Sequence, residues 1–141
     1  MNNILHQFQI KSSREAVFNA FTSPAGLNAW WTLEASGQPV LNETYRFFFG
    51  SEYDWRAVVD HVIPGQELTW KITQAMSDWM PTSFGFRLTE SGAVTTVHFF
   101  HKNWADANDH FAITNYCWGQ LLNGLRAYVE HGTIIPFDER S

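Results

Sequence analysis

Ala93-Val94-Thr95-Thr96-Val97-His98-Phe99-Phe100-His101-Lys102-Asn103 alternates, with Thr95, Val97, Phe99 and His101 on one face and Thr96, His98, Phe100 and Lys102 on the other. That period of two is the mark of a strand. The run ends at Trp104 and a polar break, and from Ala105 to His131 the period changes. Trp118, Leu122, Leu125 and Val129 recur at spacings of four, three and four, and Phe111 extends the same stripe toward the N-terminus, as on one helical face. Gly132 and Pro136 supply the stop. A helix over this range would run about 40 Å at about 1.5 Å per residue. It needs a broad partner, and the chain upstream reads as strands rich in Trp and Phe. The predicted architecture is α+β: a curved antiparallel β-sheet wrapped around a long C-terminal α-helix.

Working upstream, Thr82–Thr89 alternates Phe84, Phe86 and Leu88 against Ser83, Gly85 and Arg87, and Glu67–Gln74 alternates Leu68, Trp70 and Ile72 against Thr69, Lys71 and Thr73. Thr44–Phe49 and Asp54–Ile63 are two further strands, separated by Gly50-Ser51, with Pro64-Gly65 turning the chain toward the next. Glu34–Asn42 reads as a loop-rich connector. At the N-terminus, Ile4–Lys11 reads as a strand. Ser12 and Glu15 have capping-box spacing, so a short helix is expected from Ser13, and Ser23-Pro24 opens a second short helix toward Trp30. The loop Ala75–Pro81 carries Trp79, Met76 and Met80, and is expected either to fold onto the body or to guard an opening.

The chain has 141 residues, with 45% apolar and 16% charged, which suits one folded domain over 1–141. Nine basic residues against 14 acidic give a net charge of −5, and no basic stripe stands out. Nucleic acid and anionic membrane are therefore not the expected partners. Cys117 is the sole cysteine, so no internal disulfide forms. Met1-Asn2-Asn3-Ile4 does not begin a signal peptide pattern, and no apolar run reaches the roughly 18 residues of a membrane span. The expected setting is the cytoplasm.

The order strand, two short helices, meander and long terminal helix resembles the helix-grip fold of the START/Bet v 1-like (SRPBCC) superfamily. Within it the chain is similar to the bacterial single-domain branch related to the C-terminal domain of the Hsp90 ATPase activator Aha1. The residues that carry the resemblance are Glu15–Pro24 with Trp30-Trp31, Leu68-Thr69-Trp70, Val97–His101 leading to Trp104, and Trp118, Leu122, Leu125 and Tyr128. One departure is Asn42-Glu43, which stands where paired glycines are often found in that family. Another is that the chain has no room for the separate N-terminal domain of the eukaryotic activator. The resemblance implies a cavity between sheet and helix, often holding an apolar small molecule. It also implies a chaperone ATPase as an alternative partner, and the polyketide cyclase/aromatase enzymes share the fold.

The chemistry written in the sequence is sparse. His98 and His101 have H-x-x-H spacing but point to opposite faces of a strand, so they do not chelate one metal. There is no G-x-S-x-G elbow and no Gly-rich phosphate loop, and no catalytic residue, metal or cofactor is expected. The aromatic inventory of seven Trp, twelve Phe and four Tyr raises the main question. Trp55, Trp70, Phe84, Phe86, Phe99, Trp118 and Leu122 are expected to face the interior, where they either fill a core or line an apolar ligand pocket. In the pocket reading His101, Asn115 and Tyr116 orient polar atoms of a small apolar or aromatic ligand. In the core reading His101 bonds a neighbouring loop. Trp79, Met80 and Phe100 are the exposed candidates for a protein partner, and a sheet edge or the Trp79 loop would serve a homodimer.

Overall fold

The computed structural model describes residues 2–140. Strand β1 (Asn2–Ile10) is followed by helices α1 (Arg14–Thr22) and α2 (Pro24–Trp30), then β2 (Glu34–Ser36), β3 (Thr44–Phe48), β4 (Asp54–Ile63), β5 (Glu67–Gln74), β6 (Ser83–Ser91) and β7 (Val94–Trp104). The long helix α3 (Asp109–His131) comes next, and a single 3-10 turn, Phe137–Glu139, ends the tail. The seven strands form one antiparallel sheet in the order β1-β7-β6-β5-β4-β3-β2. Meander connections place successive strands side by side, and only β1 travels, to pair with β7. The three helices cover one face of this curved sheet, giving the α+β helix-grip arrangement.

Local chemistry sets the element boundaries. Ser13 caps α1 through its hydroxyl on the Ala16 N–H, so the cap lies one residue beyond the Ser12 that the capping-box spacing suggested. Ser23 caps α2 by bonding the Gly26 N–H, with Pro24 in the first turn, as predicted. Helix α3 starts at Asp109 rather than Ala105 because Asn108 accepts from the Phe111 N–H and fixes the first turn there. Its 23 residues span about 35 Å. Gly132, at φ 70°, ends it in the left-handed conformation. The supposed connector Glu34–Asn42 contains β2, three residues paired with β3 and too short for alternation to reveal. Asn42 also takes φ 71°, so an asparagine adopts the left-handed backbone that a glycine would otherwise supply.

One irregularity shapes the site. His101 and Trp104 are both fully buried although three residues apart, which regular alternation forbids. The β1–β7 register slips between Asn2, opposite Trp104, and Ile4, opposite His101. Asn103 occupies the slip at φ 71°, and its N–H donates to Asn3 Oδ1 at 3.1 Å. This bulge turns Trp104 back inward, against the His101 ring at 4.9 Å between centroids.

Candidate functional site

The alternation of β5, β6 and β7 points the predicted side chains inward, where they fill the space themselves. Trp70 stacks on Phe84 with centroids 5.0 Å apart, Phe86 stacks on Phe21 of α1 at 4.1 Å, and Phe99 lies 4.6 Å from Trp118. Trp70, Phe84, Phe86, Phe99 and Leu122 are all fully buried members of this cluster. They are one another's neighbours.

His101 belongs to the same interior. Its Nδ1 accepts from Trp118 Nε1 at 3.1 Å, and its Nε2–H donates to Thr82 Oγ1 at 2.9 Å. The Thr82 hydroxyl in turn donates to the Trp79 carbonyl. Burial, helped by the nearby His110, lowers the His101 pKa to about 3, so the ring is neutral near pH 7. Both nitrogens are committed and the residue is shut from solvent. Its bond to Thr82 ties β7 to the end of the β5–β6 loop.

A cleft of about 500 Å³ opens elsewhere, between the β3–β4 turn, the β5–β6 loop, the first half of α3 and the C-terminal tail. The β3–β4 turn region contributes Phe49, Tyr53 and Trp55, and the β5–β6 loop contributes Met76 and Trp79. Helix α3 presents His110, Ile113, Thr114, Cys117, Trp118 and Leu121, while Trp31 forms part of the wall and Phe137 and Arg140 come from the tail. Of the site residues expected from sequence, Trp55 and Trp118 line the cleft. Tyr116 does not: it is 68% exposed and bonds Gln120 along the outer helix surface. Two residues from Trp118 is a rotation of about 200°, which sets Tyr116 on the opposite face. Asn115 bonds His6 Nε2 at the β1 side instead.

Trp79 overturns its surface assignment. It is 5% exposed, held among Trp55 (4.4 Å between centroids), His101 (4.5 Å) and Trp118 (6.2 Å). The loop is therefore folded onto the body and also walls the opening. A further tie joins it to α3, where His110 Nδ1 donates to Asp78 Oδ2 at 3.0 Å. Sequence reasoning missed Trp31, Phe49, Cys117, Leu121, Phe137 and Arg140. A second stripe, Thr114, Cys117 and Leu121 at spacings of three and four, runs beside the Trp118 stripe and was the available signal.

Among the described residues no Asp or Glu lines this cleft. The cation in its wall, Arg140, bonds backbone oxygens: Nε to Ile135, Nη1 to Thr32, and Nη2 to Asn28 and Ala29. Three of these acceptors lie at or just beyond the C-terminal end of α2, so the guanidinium pins the tail to that helix and neutralises its negative end. Partial burial draws the Arg140 pKa below its usual range, and the group stays charged.

The family model for activator of Hsp90 ATPase homolog 1-like proteins matches residues 11–130. The chain belongs to this family. Among solved structures, this family member is similar to the Aha1 dimer from Colwellia psychrerythraea, with 34% identity and a TM-score of 0.85 over 94% of this chain and 98% of that one. The protein SSP2350 from Staphylococcus saprophyticus is 21% identical, with a TM-score of 0.79 over 95% and 96% of the two chains. CalU16 from Micromonospora echinospora is 17% identical, with a TM-score of 0.75 over 92% and 77%. The last two share the fold. A sequence comparison with curated proteins gives no match. Among the described residues no helix is long and apolar enough to cross a membrane.

Proposed function

We propose that the protein binds a small apolar or aromatic molecule in the cleft between the sheet and α3. The observation that carries this is the wall itself: Trp31, Phe49, Trp55, Trp79, Trp118, Leu121 and Phe137 around about 500 Å³. Ligand pockets typically hold roughly 300–1,000 Å³ with a mostly apolar lining and few polar groups. Rigid rings on strands and helix, bonded to one another through His101 and Thr82, form the inner wall. The test is native mass spectrometry of freshly purified protein beside a denatured sample, with thermal shifts across a panel of aromatic compounds. A bound mass or a dose-dependent rise in Tm is expected, at saturation equivalent to about 2.7 kcal/mol at a hundredfold excess over Kd. Leu121→Trp, which fills the cleft, should abolish it. A clean apo mass with no shift from any compound sinks this reading.

A second reading has one specific support, the 34% identical structure that bears the name Aha1. Under it the protein assists a chaperone ATPase, and, since that structure is a dimer, acts as a homodimer. Stimulation of a purified Hsp90 ATPase without added ligand, and a dimer mass in light scattering, are the expected results. Unchanged ATPase rates count against it. A cyclase-type enzyme is less favoured, because His101 has both nitrogens bonded within the core. The single Cys117 suits a reducing cytoplasm.

A further inference from the structure

Among the described residues Arg140 is the one Lys or Arg in the cleft wall, and no Asp or Glu shares that wall with it. This is unusual in a chain of 14 acidic and nine basic residues, where a cation has many acids to choose from. A guanidinium carries five N–H donors. Four are committed: one on Nε to Ile135, two on Nη2 to Asn28 and Ala29, and one on Nη1 to Thr32. One Nη1 donor has no partner among the described residues. The same four bonds hold the guanidinium still, so a ligand meets a fixed charge and orders no long side chain on binding. The imidazole in the wall, His110, is already turned to Asp78.

Resting on the ligand-binding reading above, we propose that the cleft selects aromatic carboxylates, with the rings against Trp31, Trp55 and Leu121 and the carboxylate on the free Nη1 donor of Arg140. A neutral isostere gains the same apolar burial but loses the charge-assisted bond, which is among the stronger single polar contacts. The fixed cation therefore sets ligand class while the rings supply most of the contact area.

The test uses the full chain and two matched pairs: naphthalene-2-carboxylate with naphthalene-2-carboxamide, and naphthalene-2-acetate with its amide. Calorimetric titration should show at least one acid binding about tenfold more tightly than its amide. Raising salt from low to high concentration should weaken the acid and spare the amide. In Arg140→Gln the acid should lose its advantage and bind no more tightly than the amide does to the same variant. Equal binding of acid and amide in the wild-type protein overturns the carboxylate proposal and leaves the cleft reading intact. So does an equal loss of both in Arg140→Gln, which would make Arg140 a clamp for the tail alone. If that variant fails to fold, the salt dependence of the wild-type pair decides. Binding of neither member of either pair overturns the carboxylate proposal, and the reading beneath it then stands or falls on the native mass and the wider panel above.

Discussion

Trp118 Nε1 donates to His101 Nδ1 at 3.1 Å, joining the cleft-facing helix α3 to strand β7 through two side chains that are almost wholly buried. The bond fixes the histidine tautomer: Nδ1 accepts, so Nε2 carries the proton and donates to Thr82. Trp118→Phe keeps an aromatic ring but leaves a buried acceptor without a donor. It should destabilise the fold by about 1–3 kcal/mol, read from urea denaturation. A loss below about 0.5 kcal/mol would show that the bond contributes nothing net, a level typical of inconsequential substitutions.

The same burial makes stability depend on pH in a defined direction. The folded His101 pKa is about 3 against an ordinary 6.5, so in the window between them only the unfolded chain takes up this proton. Stability from this residue is fully present above about pH 6.5 and is lost as pH falls toward 3, with a limiting slope of about 1.4 kcal/mol per unit. His101→Gln does not titrate and should flatten the profile between pH 6.5 and 4.5 relative to wild type. Parallel profiles from the two proteins would contradict a buried neutral histidine.

Two glycines should respond oppositely to alanine. At Gly26 an added Cβ would sit 2.6 Å from the Ala20 carbonyl oxygen and 2.7 Å from its Cα, both backbone atoms where α1 and α2 cross. Gly26→Ala should cost about 3 kcal/mol or more, since the two helices must separate. At Gly124 of α3 the new methyl would meet Ile135 Cδ1 at 3.7 Å and Trp30 Cβ at 4.0 Å, ordinary contact distances. Gly124→Ala should stabilise by about 0.5–1 kcal/mol through helix propensity and a less flexible unfolded chain. Thermal melts of the two variants beside wild type check the pair, and a stabilised Gly26→Ala would refute the close crossing.

The sheet and the long helix were legible in the sequence because each repeats its period over many residues: alternation placed Phe84, Phe86, Phe99 and His101 inside, and the 3.6 period placed Trp118, Leu122 and Leu125. The features missed lack such repetition. The bulge at Asn103 shifts phase by one residue, Asn108 caps α3 from within a polar run, and β2 is three residues long. The cleft was hidden for a different reason. Periodicity tells which side chains point inward but not whether they touch, and Trp70, Phe84 and Phe99 spend their surface on other rings. The walls come instead from a helix end, a turn, a loop and the tail. Exposure was misjudged for the loop residue Trp79, because loop position predicts a solvated backbone and says little about one large side chain.

That loop is held by a chain of side-chain bonds whose removal should be visible. Thr82 accepts from His101 Nε2 and donates to the Trp79 carbonyl, so one hydroxyl couples strand β7 to the cleft wall. Thr82→Val preserves shape while leaving a buried donor and carbonyl less satisfied, a loss that favours states in which the loop opens to water. Its backbone bond to Trp79 survives, so opening should be partial rather than complete. Hydrogen exchange by mass spectrometry should therefore quicken in the 75–82 loop and hardly change in α1 or β1. Acrylamide should also quench tryptophan fluorescence more strongly, because Trp79 starts almost wholly buried and six of the seven tryptophans share that state. Equal exchange in the loop for both proteins would mean that ring packing alone, Trp79 against Trp55, His101 and Trp118, keeps this wall in place.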